Sequence, residues 1–405
     1  MSAVAEGHAI LPPSGAGVWA HCAGSVVMIE SFPQKDTEES RDGNAAHWVS
    51  ATILDMWKDE GGRCPLIHAA YLGISDPDGT IVTNEMLEGA EMYCDEIAAV
   101  LEFAELAGLA DAWSHLHVEE RVYATEWIHP DNWGTVDAWF YNPLTHTLHI
   151  WDFKFGFLDI PAFENFQLIN YYAGIAQGLG INGDTDQTLK VIMQAIQPRC
   201  FTTNGPIKDW SVLGSDLRSH MNQLRSKAAE ARGPDPMTTS GKQCRYCPAR
   251  HGCKSAGDAA MAGVDYIHRA HPEVLTNDAV SFEMATLTDA SKAIEYRLEA
   301  MKDEVQSRIS AGQVIPGFKM KTSSGKRKWA TGVGAIRNVG ALTGTDMIEE
   351  AKPVTPFQAE KKLRDAGFDK AAIEATLDTL IVTPSAGMKV VKDDGSEARR
   401  IFSQN

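Results

Sequence analysis

The sequence predicts an α/β fold, with a central mixed sheet flanked by helices and a C-terminal α+β extension. Three observations carry this reading. Two long stretches near the N-terminus repeat apolar residues at helical spacing, three short β-branched and aromatic runs follow in succession, and helical and strand patterns alternate after them.

The first helix is expected over 36–58, DTEESRDGNAAHWVSATILDMWK, which opens on Asp-Thr, and the second from Asn84 to Ala107. LHVEERVYAT (116–125), WGTVDAWFYN (133–142) and TLHIWDFKF (147–155) read as strands of an antiparallel meander. Asn142-Pro143 and Thr145-His146 supply the turn between the last two. Pro161 is placed to open a helix that FENFQLINYYAGIAQGLG continues to a glycine stop. LKVIMQAIQP (189–198) reads as a buried strand, and WSVLGSDLRSHMNQLRSKAAEAR as another helix. A boundary is expected near Ala256 to His271, giving a core over 1–256 and an extension over 257–405. Within the extension, 280–311 reads as one long amphipathic helix and 355–379 as a pair of short ones.

A chain of 405 residues, 44% hydrophobic and 22% charged, has the balance of a soluble globular protein of two domains. The N-terminus lacks the basic-then-apolar pattern of a secretory signal, and no apolar stretch is long enough for a bilayer. The expectation is a cytoplasmic protein with no membrane partner. In such a compartment thiols stay reduced, so the seven cysteines point to metal, catalysis or burial rather than to disulfides. Cys64, Cys94 and Cys200 occur singly and read as packed thiols. The net charge of -17 requires that any nucleic-acid path be a local basic lane on an acidic body.

The chemistry centres on Asp137 in one strand and Asp152-Phe153-Lys154 in the next. Strand alternation places Asp152 and Lys154 on one side, with Asp137 able to lie beside them. Two carboxylates at a sheet edge suit a hard divalent cation, and the lysine can orient a water or offset charge on a phosphate. A strand Asp-x-Lys is commonly a surface ion pair. Here, however, HIWDFKF and GTVDAW embed the charges in apolar runs, where an unpaired carboxylate is costly. Gln167 and Tyr171 share one face of the following helix, and Gly43-x-x-x-His47 lies on the first helix. Cys244-x-x-Cys247, five residues, then Cys253 gathers three soft ligands suited to zinc or an iron–sulfur cluster. His251 as fourth ligand would make a small zinc knuckle; Cys22 would instead close a loop around the whole core. Lys319, Lys321, Lys326, Arg327 and Lys328, ending at Trp329, form a basic patch beside an aromatic, and Arg399-Arg400 a weaker one.

Taken in order, Gly-x-x-x-His, Gly-x-x-Asp, Asp-x-Lys and Gln-x-x-x-Tyr resemble the RecB-like branch of the PD-(D/E)xK nucleases. The early cysteine with the late C-x₂-C-x₅-C resembles the [4Fe–4S] staple of AddB and of CRISPR-associated RecB-like exonucleases. The early segment SGAGVWAHCAGS and the tail also look like an uncharacterised phage and prophage family. The resemblance implies a restriction-endonuclease-like core and a Mg²⁺- or Mn²⁺-dependent deoxyribonuclease, an exonuclease more than an endonuclease. It implies metal ligation by His47, Asp137, Asp152 and the Phe153 carbonyl. Catalytic roles fall to Asp137, Asp152, Lys154, Gln167 and Tyr171, and cluster binding to Cys22, Cys244, Cys247 and Cys253. The implied partners are DNA, single-stranded or with free ends, and phage recombination or replication proteins; a phage-encoded chain would act in the host cytoplasm. The alternatives are a non-catalytic DNA-binding scaffold that keeps the fold and cluster, and zinc in place of iron. The second acid is Asp152 where many relatives carry Glu. The phosphate loop of a helicase motor, G-x-x-x-x-G-K-[ST], does not occur.

Overall fold

The structure, a computed structural model, describes residues 9–32, 37–64, 68–200, 205–267, 276–324, 328–329, 333–345, 347–349, 352–353, 355–377, 380–382 and 385–392. The chain divides into two compact units, Met1–Arg297 and Leu298–Asn405.

The first unit begins with two short helices, α1 (Ala16–Trp19) and α2 (Ser25–Glu30), then two long ones, α3 (Glu38–Glu60) and α4 (Asn84–Leu106). Thr37 and Ser40 cap α3 reciprocally, each side-chain oxygen accepting the other's backbone N–H at 3.1 and 3.0 Å. The helix stops at Gly61, whose φ of 70° is left-handed. Together α3 and α4 bury Val49, Ile53, Trp57, Tyr93, Ile97 and Leu101 against one face of the sheet.

That sheet comprises β1 (Leu116–Tyr123), β2 (Trp133–Asn142), β3 (Thr147–Phe153), β4 (Lys190–Ile196) and β5 (Ile207–Leu213), paired in that order. β1 to β3 form the expected antiparallel meander, β4 joins β3 in parallel, and β5 returns antiparallel. The parallel pair requires a crossover, which α5 (Phe166–Gly178) supplies. With α6 (Arg218–Ala231) it covers the second face, packing Leu168, Ile175 and Leu224 with Ile150, Val191 and Met193. The mixed α/β architecture is as the sequence predicts.

Two local readings differ. Residues 210–213, expected to begin a helix, belong to β5, and α6 starts only at Arg218. Without β5 the outer edge of β4 would leave backbone groups unpaired beside a buried core, a cost that outweighs local helical patterning. Nor does Pro161 open α5. The Asn165 side chain caps it, accepting from Gln167 N at 2.9 Å, so the helix starts at Phe166.

After α6 come the cysteine segment, α7 (Lys254–Ile267) and α8 (Asn277–Ser310). The division between units falls at Arg297/Leu298, within α8, rather than at 256/257. The reason is local packing. Arg297 donates to the carbonyls of Arg250 and His251 at 3.2 and 2.6 Å, and Gly263 lies close against Ala290.

In the second unit, strands Phe318–Ser324 and Ser385–Lys392 pair antiparallel. Helices Val333–Thr343, Pro356–Asp365 and Lys370–Leu377 enclose a small core of Ile336, Ala359, Leu363, Ile373 and Leu377. The last two are the expected pair of short helices. Lys319 and Lys321 lie on the first strand, and Lys328-Trp329 on a two-residue strand; Lys326, Arg327, Arg399 and Arg400 lie outside the described residues.

Candidate metal centre and cysteine cavity

The β2–β3 ladder pairs Ala138 with Trp151, so one further step sets Asp137 beside Asp152. The Phe153 backbone N–H donates to Asp137 Oδ2 at 2.7 Å. On the other flank, Val118 pairs with Ala138 and Glu120 with Val136, and Glu119 and Asp137 fall between. Both strands change face there. Val118 and Ala138 pack with α3 and α4, whereas Val122 and Val136, on the same alternation, pack with α5 and α6. The switch occurs at Glu119, whose φ of 48° is left-handed. It leaves Glu119 and Asp137 together under His47 of α3. His47 Nδ1 lies 3.6 Å from Asp137 Oδ1 and 3.8 Å from Glu119 Oε1.

Asp152 is fully buried next to this group. Its Oδ1 accepts from Lys154 Nζ and Gln167 Nε2, both at 2.9 Å, and Gln167 Nε2 also lies 2.9 Å from Tyr171 Oη. Lys154, Gln167 and Tyr171 are thus tied to one carboxylate oxygen. The other, Asp152 Oδ2, is buried with no hydrogen-bond partner among the described residues.

Burial pushes the Asp152 carboxyl up to about 6, with the Asp137 charge adding to the rise and Lys154 opposing it. Burial likewise raises Asp137, against the pull of His47 and Lys154. For Lys154 burial works downward, but Asp152 and Asp137 more than compensate, and its ammonium form is favoured. Burial and the two aspartates drive the Tyr171 phenol well above its ordinary range, so it stays protonated.

The donor set fits a hard divalent cation. One ligand atom each from His47, Glu119 and Asp137 lies within 4.8 Å of the others, and Asp152, next to Asp137 in the β2–β3 register, keeps an oxygen with no hydrogen-bond partner among the described residues. Glu119 was not singled out by the sequence reading. Phe153 contributes its backbone N–H, which holds the Asp137 carboxylate. Above the group the approach is open, lined by Asn44, His47, Trp48, Ala51 and Glu119, and a Cβ at Gly43 would meet nothing within 4 Å.

The family model described as "Protein of unknown function (DUF2800)" matches residues 8–397. The chain belongs to this family. The DUF2800 match runs through both compact units and includes His47, Glu119, Asp137, Asp152 and all seven cysteines.

In this DUF2800 chain Cys22, Cys244, Cys247 and Cys253 line one cavity. The N-terminal segment is docked there by backbone bonds. Gly24 N donates to Met237 O at 2.9 Å, and Thr239 Oγ1 to His21 O at 2.7 Å. A Cβ on Gly24 would lie 2.7 Å from Pro236 O, so the approach requires glycine. Thr239 N and Gly241 N donate to the sulfurs of Cys22 and Cys244 at 3.3 and 3.4 Å. Burial and the three neighbouring sulfurs push the Cys247 thiol up to about 11. His251 is not among the cavity's lining residues; its ring packs edge-on against Phe32 at 4.7 Å. Cys94 lies elsewhere, buried against Ser50 O, in keeping with a packed thiol. Among the described residues no helix is long and apolar enough to cross a membrane.

Proposed function

We propose that this chain is a Mg²⁺- or Mn²⁺-dependent DNA nuclease of the RecB-like PD-(D/E)xK type, acting as an exonuclease in phage recombination, replication or end processing. The observation that carries the reading is the buried, half-satisfied Asp152, bonded to Lys154 and Gln167 through one oxygen and beside the His47–Glu119–Asp137 group through the fold. A divalent cation would supply Lewis-acid polarisation of a phosphate oxygen and ease ionisation of the attacking water.

The chain's own residues would do the rest. His47, Glu119, Asp137 and Asp152 hold the cation. Lys154, kept charged by Asp152, offsets charge developing on the phosphate. Gln167 fixes Asp152 and Tyr171 in one hydrogen-bonded line, and the protonated Tyr171 retains a donor for a phosphate oxygen. α3 leaves the approach open to a polymer.

The four cysteines would hold a [4Fe–4S] cluster. All four line one cavity, and four thiolates are the ligand set of such a cluster. Four thiolates also suit zinc, which is the alternative occupant.

Degradation of end-labelled linear DNA with Mn²⁺ or Mg²⁺, by anaerobically purified protein and by Lys154→Ala, tests the reading. Hydrolysis by the wild type and its loss by about 10²-fold or more in the variant is expected. Binding of DNA without hydrolysis by either protein would replace it with the scaffold reading.

A further inference from the structure

We infer that the outer half of the β1–β2 ribbon is a track for single-stranded DNA, whose bases stack on Tyr123 and Trp133 while Arg121 holds the phosphates. The inference rests on the proposed nuclease reading and names the form of the substrate.

The placement follows from register. Beyond Glu119 and Asp137, Arg121 pairs with Thr135 and Tyr123 with Trp133. Val122 and Val136 of the same segment point into the core beneath α5, so strand alternation turns Arg121, Tyr123, Trp133 and Thr135 to the opposite face. That is the face on which α3 sets His47 over Glu119 and Asp137. Arg121 is exposed, and Tyr123, Trp133 and Thr135 are partly so.

The side chains form one continuous surface. The Arg121 guanidinium lies 4.6 Å from the Trp133 ring centre, and the Tyr123 and Trp133 rings are 6.3 Å apart and tilted by 37°. A guanidinium held over an indole keeps its edge donors free for phosphate while its plane extends the stacking surface. Aromatic faces accept any base, and basic groups between them track the backbone.

Access to base faces selects a single strand. In a duplex the bases are paired and stacked on one another, so an unstacked strand is what can lay a base on Tyr123 or Trp133 while its phosphate meets Arg121. The path runs along β1 from the ribbon tip to Glu119, so it delivers a strand to the metal group. It sets one cation, Arg121, against two aromatic rings on an otherwise acidic chain.

The test is equilibrium binding of fluorescent oligo(dT) and of a blunt duplex of the same length, in Ca²⁺, across a salt series. Arg121→Ala is expected to weaken oligo(dT) binding about tenfold and to lower the salt slope by about one ion. Tyr123→Ala and Trp133→Ala should weaken it similarly, and Trp133→Phe should retain most of it. Melting temperatures keep fold defects separate. Unchanged oligo(dT) affinity in Arg121→Ala and Tyr123→Ala, equal losses on duplex and single strand, or no wild-type binding to oligo(dT) would each overturn the inference. Ribbon-dependent binding without hydrolysis would leave it standing while the nuclease reading fails. Hydrolysis with binding indifferent to these variants would do the reverse.

Discussion

Phe153 gives its backbone N–H to Asp137 Oδ2 at 2.7 Å, so the strand that carries Asp152 and leads into Lys154 also fixes the carboxylate of its neighbour. The two acids are therefore held by the sheet itself and not by loops. A constellation set on strands keeps its geometry with less reliance on ligand.

Holding Asp152 buried in this way costs stability at neutral pH. Its carboxyl is raised to about 6 from 3.8, so the folded state binds the proton more tightly than the unfolded one. The associated stability is present at low pH and lost as pH rises through this window. Asp152→Asn should thus stabilise the metal-free protein at pH 7.5, by on the order of 1–3 kcal/mol, while abolishing hydrolysis. Thermal melts in EDTA measure it; a destabilised variant would contradict the claim.

Glu119 should behave as a member of the proposed metal group. Glu119→Gln is expected to raise the Mn²⁺ concentration for half-maximal hydrolysis by roughly tenfold or more, since it removes one anionic ligand. Calorimetric Mn²⁺ titration gives the same comparison without DNA. An unchanged midpoint in both would remove Glu119 from the set.

How much of this was legible beforehand depends on the residue. Asp137 and Asp152 could be paired because strand period and a short turn fix their register. Glu119 could not, since it sits beside Glu120 in LHVEERVY, and adjacent acids on a strand read as a solvated face. The one trace was the broken alternation, with Val118 and Val122 separated by Glu120 where a third apolar residue would continue the stripe. Its decisive property, a left-handed backbone in a non-glycine residue, leaves no compositional mark. β5 was obscured for a different reason. Its side chains are mostly half-exposed, and it exists to pair the edge of β4, a demand set by tertiary structure.

Acid should expose a second buried titration. His149 is lowered to about 4 from 6.5 by burial and the nearby Lys190 charge, so the fold holds it neutral. Its stabilising effect is complete above 6.5 and is lost as pH falls toward 4. Between pH 7 and 4.5 this should cost the wild type roughly 2 kcal/mol that a His149→Gln variant does not lose. Urea titrations at the two pH values give the difference directly, and parallel losses would rule out His149 as the source.

The cysteine cavity makes a colour prediction. Anaerobically prepared protein should be brown, with the visible absorption of a [4Fe–4S] cluster, and Cys247→Ser should bleach it and lower the melting temperature. Colourless wild-type protein carrying stoichiometric zinc would assign the site to zinc. Gly24→Ala probes the docking independently of the metal. The added methyl meets the Pro236 carbonyl, so a loss of about 1–3 kcal/mol is expected from the denaturation midpoint.

The bond between Thr239 and Cys22 spans 217 positions, and this separation imposes an order on biosynthesis. At roughly 5–20 residues per second, the N-terminal segment leaves the ribosome some 10–40 s before its partner exists. Until then Val18, Cys22 and Ser25, which line the cysteine cavity and are buried in the finished fold, lack part of their cover. The nascent chain must carry an unclosed apolar surface through the synthesis of the whole sheet. Truncations ending before Met237 should accordingly call on chaperones or aggregate, even though every strand of the sheet has already been made.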